Sequence, residues 1–157
     1  MTQGLYAKVD PADYRELARH KWHATRGRHT WYAQRKVWDA GAKREVTIKM
    51  HRVVLPVAPG HVVDHINRNG LDNRRANLRP ATRAQNACNR LRAGRKSKYS
   101  KHRGVTWHKG MQKWFARIGV QGKTLPLGYY EDADEAARAY DAAARIHHGQ
   151  FAVLNFP

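Results

Sequence analysis

Residues 90–103, RLRAGRKSKYSKHR, hold seven Lys or Arg, no acidic residue and no apolar periodicity. A stretch of that kind has nothing to bury and repels itself, so it cannot cross a packed core. It divides the 157-residue chain into two small units that must each fold alone. The division reads as residues 1–92, a basic linker over 93–101, and residues 102–157. The arm is expected to stay disordered until it meets a polyanion, with Arg95, Lys96 and Lys98 on phosphates.

The charge extends beyond the arm. Lys and Arg number 30 against 12 Asp and Glu, for a formal charge of +18 and an isoelectric point near 10.7. No acid occurs between Asp72 and Glu131, a window that holds 15 of the 30 basic residues. Such a field attracts nucleic acid through phosphate neutralisation and counterion release, and excludes a small-molecule enzyme of ordinary charge. The lone cysteine, Cys88, excludes an intramolecular disulfide and a Cys-rich zinc site, and suits a reducing cytosol. No signal-peptide core or membrane span is legible. A soluble intracellular monomer is expected, with no membrane or obligate protein partner.

Elements follow from pattern. VDPADYRELARHKWHA predicts a short helix. HTWYAQRKVW and REVTIKMHRVVL, separated by DAGAK, predict a β-hairpin. HVVDHI is a strand, NRNGLDNRR a loop, and NLR a short returning strand ended by Pro80. Thr82 and Gln85 have capping-box spacing, which starts a helix with Asn86 at its fourth position. Beyond the arm, RGVTWHK, KWFARIGV and KTLPLGYY predict three strands. Asp132 and Glu135 cap a helix that Gly149 stops. The class is α+β in two units.

A carboxylate beside a histidine is odd in a chain built to attract phosphate, unless a cation neutralises it. Asp64 and Asn86 offer two hard oxygens of the kind Mg²⁺ takes, with Mn²⁺ as a substitute. His65 points to the other side of the strand and can take a proton from water, while the metal stabilises the phosphorane charge and the leaving oxygen. Zinc on His61 and His65 is disfavoured, because their spacing on a strand exceeds ~10 Å.

These residues carry a resemblance. HRVV…VVDHINRNGLDNRRANLRPATRAQNACNR resembles the HNH endonucleases, in particular the homing branch associated with phages and mobile introns. The likeness covers about residues 5–90, with the ββα-metal core about 60–90. It implies that Asp64 and Asn86 bind the metal and that His65 is the general base. Asn77 would fix the loop and orient His65, with Asn73 a weaker candidate. Where the family name implies histidine, the last position here is Asn86. His51 and Arg52, in MHRVV, are expected to touch DNA, His51 reaching phosphate or the metal site.

Residues 102–157 resemble the AP2/ERF DNA-binding domain through RGVTW, KWFARI, LGYYEDADEAARAYDAAARIHHG and AVLNFP. That family lays a three-stranded sheet in the major groove. Arg103 matches one of its DNA-contacting arginines. Trp107, His108, Lys113, Trp114, Arg117 and Lys123 are candidates by local patterning, with one of the two tryptophans expected in the core. Thr106 and Gly119 stand where the plant proteins have arginine, so no plant sequence preference is carried over. Tyr140 and Phe156 are assigned to the core. Together the two resemblances imply a metal-dependent endonuclease that cuts double-stranded DNA at a recognised site. The alternatives are a DNA-binding regulator with a decayed nuclease unit, or an RNA-binding protein.

Overall fold

The structure is a computed structural model and describes residues 4–89 and 100–157. The chain divides into two compact units, Met1–Asn86 and Ala87–Pro157. Arg95, Lys96 and Lys98 lie outside the described residues. No helix among the described residues is long and apolar enough to cross a membrane.

In the first unit, helix α1 (Pro11–Ala18) starts on Pro11, whose fixed φ suits a first turn. It turns Leu17 inward while Tyr14 stays in water. Strands β1 (His23–Arg26), β2 (Trp31–Asp39) and β3 (Arg44–Lys49) form an antiparallel sheet in that order. The β2–β3 hairpin is as the sequence predicts. Strand β1 is additional, since four residues are too few for alternation to show.

The strand predicted through MHRVV ends at Lys49, and Met50–Val54 form helix α2. Met50, His51 and Val54 are all buried, a one-sided spacing that a helix satisfies and a strand does not. Met50 and Val54 join Leu17, Ala33, Val63 and Leu78 in one apolar core.

Strands β4 (His61–His65) and β5 (Leu78–Thr82) pair antiparallel, with Asp64 opposite Arg79 and His65 opposite Leu78. A 3-10 turn, Arg75–Asn77, leads into β5. Helix α3 (Arg83–Cys88) follows, and its capping box is formed. The Thr82 amide donates to Gln85 Oε1 at 2.8 Å, and the Gln85 amide donates to Thr82 Oγ1 at 3.2 Å.

The second unit is a three-stranded antiparallel sheet, β6 (Val105–His108), β7 (Lys113–Val120) and β8 (Lys123–Tyr130), packed by helix α4 (Ala133–His148). Asp132 caps α4 by accepting from the Asp134 and Glu135 amides. The face of α4 that meets the sheet is mostly alanine, so backbones approach closely: Ala136 and Ala137 lie on Val105 and Ala116, and Ala143 and Ala144 with Tyr140 lie on Ile118.

Buried Asp141 closes the end of this unit. It accepts from the Asn155 and Phe156 amides, while Asn155 exchanges side-chain bonds with the Arg103 backbone. Tyr140 is core, as expected. Phe156 is not: it is 37% exposed, its amide tethered to Asp141 and its ring against His102 and Arg138. The tether stops the chain before the side chain can reach the interior.

Gly104 sits at φ +77°, and a Cβ there would collide with the Tyr140 ring and the Arg117 carbonyl. Gly104→Ala is therefore expected to destabilise this unit by roughly 1–3 kcal/mol. Hydrogen exchange should locate the loss of protection in β7 and α4.

Candidate functional site

The loop between β4 and β5 is tied by its own asparagines. Asn77 accepts from the Asn67 amide at 2.9 Å and donates to the Asp72 carbonyl at 2.7 Å. Asp72 accepts from the Asn67 side chain and from Arg74. The N-terminal segment braces the same loop: Lys8 donates its amide to Leu71 and accepts from Asn73, and Asp13 pairs with Arg75. Gly70 donates to Thr30 Oγ1 and comes so close to the Trp31 carbonyl that a Cβ would not fit.

This rigid loop presents Asn73 to His65. Asn73 Oδ1 lies 3.3 Å from His65 Nε2, while Asn73 Nδ2 donates to the Leu71 carbonyl. An amide oxygen can only accept, so Nε2 carries the proton and the His65 lone pair is on Nδ1. Burial pushes the imidazole below its ordinary range, which keeps it neutral near pH 7. Asn77 fixes the loop, as expected, and Asn73, the weaker candidate, is the asparagine that reaches the ring.

His51 faces the same place, but from α2. Its ring lies 5.0 Å from the His65 ring, and Tyr32 from β2 stands 5.8 and 6.0 Å from the two. His51 is buried, its Nδ1 has no hydrogen-bond partner among the described residues, and burial followed by His65 pushes its pKa down to about 3. Its placement suits contact with His65 rather than with a phosphate on the surface. Arg52, the next residue of α2, is exposed.

Asp64 emerges on the opposite side of β4 from His65. It is buried and takes two hydrogen bonds on Oδ2 from Arg79, at 2.9 Å from Nε and 2.8 Å from Nη2. Arg79 was not singled out in the sequence, since only the hairpin register sets it opposite Asp64. Asn86 is half-buried in α3. A carboxylate and an amide oxygen fit a hard divalent cation that keeps waters and takes substrate oxygens. Among the described residues no cluster of three or more His, Cys, Asp or Glu could hold a metal by itself.

In the second unit, cross-strand register decides the faces. Trp107 pairs with Trp114, and their rings lie 5.1 Å apart. Paired residues share a face, and Trp114 packs on the cluster containing Ala136 and Ala137. Both tryptophans thus stand on the helix side, and Trp114 is the one that packs on the core cluster, in line with the expectation that one of the two belongs to the core. Arg103 is also engaged internally, donating to the Tyr140 hydroxyl and the Cys88 carbonyl.

The open face carries His108, Lys113 and Arg117 with Phe115 and Tyr129. Phe115 and Tyr129 rings are 4.9 Å apart, and His108 stands edge-on to Tyr129. Lys113 pairs with Glu131, Arg117 is exposed, and Lys123 lies exposed at the β7–β8 turn. Phe115 was legible in principle, two residues from Arg117 and hence on its face.

Comparison with known proteins divides the chain in the same order. Residues 49–88 match the HNH endonuclease family and residues 100–146 the AP2 domain. The AP2-like ethylene-responsive transcription factor TOE2 of Arabidopsis thaliana is 43% identical over 65 residues, covering 41% of this chain and 13% of that protein. The ethylene-responsive transcription factor WRI1 of Arabidopsis thaliana is 49% identical over 59 residues, covering 36% and 14%. APETALA2-like protein 2 of Oryza sativa subsp. japonica is 40% identical over 67 residues, covering 43% and 15%. The chain thus spans about a seventh of the length of these relatives.

Asp72 supplies a pH test of the loop. Its bond from Arg74 holds its pKa down to about 2. A folded value below the unfolded one stabilises the fold at higher pH, and that contribution is lost as pH falls from ~4. The first unit should therefore weaken between about pH 4 and 2. Asp72→Asn should be less stable at pH 7 and should lose that part of the pH dependence in acid-unfolding curves.

Proposed function

We propose that this chain, which carries an HNH endonuclease domain and a C-terminal AP2 domain, is a metal-dependent DNA endonuclease of homing type. The first unit hydrolyses the phosphodiester, and the second supplies much of the DNA affinity and site choice. The observation that carries this reading is the Asn73–His65 bond beside buried Asp64. It leaves a neutral, oriented imidazole next to a carboxylate, which is what proton abstraction from water at a phosphate requires.

His65 accepts the water proton on Nδ1, and Asn73 holds the ring through Nε2–H. Tyr32 and His51 pack around the imidazole and limit its rotation. Asn77 and Asp72 hold the loop that carries Asn73. Asp64 and Asn86 would hold Mg²⁺ or Mn²⁺, which when bound supplies charge stabilisation at the phosphate and the leaving oxygen. In the second unit, Arg117, His108 and Lys113, with the Phe115–Tyr129 pair, form the face offered to DNA.

The curated relatives are named as transcription factors, which favours a second reading, a DNA-binding regulator without catalysis. One experiment separates the two. His65→Ala should lower cleavage in Mg²⁺ by ~10²–10⁴-fold while DNA affinity changes by a few-fold at most. Undiminished cutting by that variant, or no cutting by the parent on DNA containing its own insertion locus, removes the nuclease reading.

Two further outcomes follow. Asn73→Ala should lower the cleavage rate at least ~10-fold, and Asn73→Asp, which keeps an acceptor for Nε2–H, should restore part of it. Arg117→Ala should weaken DNA binding and lose ~1–3 kcal/mol of base discrimination, read by gel shift on a panel of duplexes. Trp114→Ala should instead lower the melting midpoint, since Trp114 packs on the helix side.

A further inference from the structure

The carboxylate that the proposed function assigns to a metal already holds a cation. Asp64 and Arg79 are cross-strand partners, so their side chains leave the hairpin on one face. Both Arg79 nitrogens converge on a single oxygen, Oδ2. The side chains are 4% and 10% exposed, so water screens the pair little.

A divalent cation on the same carboxylate would stand beside the guanidinium, placing three positive charges against one negative charge in a poorly screened place. Among the described residues no cluster of three or more His, Cys, Asp or Glu could hold the metal without Asp64 and substrate oxygens. The polyanion that a +18 chain attracts carries a negative charge at every phosphate, and a phosphate at the site would offset the added cation.

We infer that Arg79 competes with the divalent metal for Asp64 and thereby makes metal loading depend on bound DNA. This rests on Asp64 being a metal ligand. By itself the metal binds weakly, because it must share Asp64 with Arg79. With a DNA phosphate at the site, the added negative charge lets both cations stay. Arg79 is a positioning residue in this scheme, holding the Asp64 carboxylate and setting when the metal arrives.

The test uses the full-length chain in a His65→Ala background, which keeps added DNA intact, and Mn²⁺ as the probe, with free Mn²⁺ read by electron paramagnetic resonance. The parent should bind Mn²⁺ weakly alone and at least ~10-fold more tightly with excess sonicated duplex DNA. Arg79→Met should bind Mn²⁺ without DNA ~10-fold or more tightly than the parent, and the gain from DNA should shrink. Arg79→Lys, which keeps the charge, should behave as the parent. Should Arg79→Met be unfolded in buffer, Mn²⁺ must restore its melting transition, and no such restoration overturns the inference. Asp64→Asn should abolish Mn²⁺ binding. If it does so while Arg79→Met binds no more tightly than the parent, the competition is overturned and Asp64 remains a ligand. If Asp64→Asn binds as the parent does, the metal assignment itself fails.

Discussion

Excess positive charge is the constraint on which the rest of this structure depends. With 30 basic and 12 acidic residues, the carboxylates are scarce, and half of them are used to fix loops, helix ends and termini. Asp10 and Asp13 hold Arg75, Asp72 holds Arg74 and Asn67, and Asp64 holds Arg79. Asp132 caps α4, and Asp141 fastens Asn155 and Phe156. A chain that repels itself gains most from negative groups placed where they fix loops and termini, and these do. Binding of a polyanion relieves the same repulsion, so fold stability and phosphate affinity are linked through one charge excess.

The catalytic geometry proposed here is inherited from that tethering. His65 itself is anchored by a neutral amide, but the amide is carried by a loop whose shape is set by Asp72, Asn67 and Asn77. The lead-in segment matters for the same reason. Lys8, Asp10 and Asp13 precede the residues that match the endonuclease family, yet they clamp the loop from outside. Tyr32, also outside that match, supplies the third ring beside His51 and His65.

The second unit divides its labour by face. Small alanines on α4 let the helix approach the sheet, and Trp107 and Trp114 fill the same side. That leaves the opposite face to Arg117, His108 and Lys113 around an aromatic pair. The Arg103 side chain donates to the Tyr140 hydroxyl and its backbone amide to Asn155, which fixes the start of the sheet.

What the sequence determined by itself is whatever depends on near neighbours along the chain. The capping box at Thr82, the N-cap at Asp132, the β2–β3 hairpin, the strands and helix of the second unit and the adjacency of Asp64 and His65 are all of that kind. Their physics is local: dihedral preference, backbone satisfaction at a helix end, and alternation on a strand. Tertiary structure decided what depends on register and burial. Arg79 met Asp64 because a hairpin of one loop length aligned them, and another length would have placed a different residue there. MHRVV became a helix because Met50, His51 and Val54 could all be buried on one side. Asn73 rather than Asn77 reached His65 because the loop, closed on itself by Asp72 and by the N-terminal segment, turned that amide inward. Trp107 and Trp114 came to share a face because they are partners across strands, where alternation along one strand gives no information.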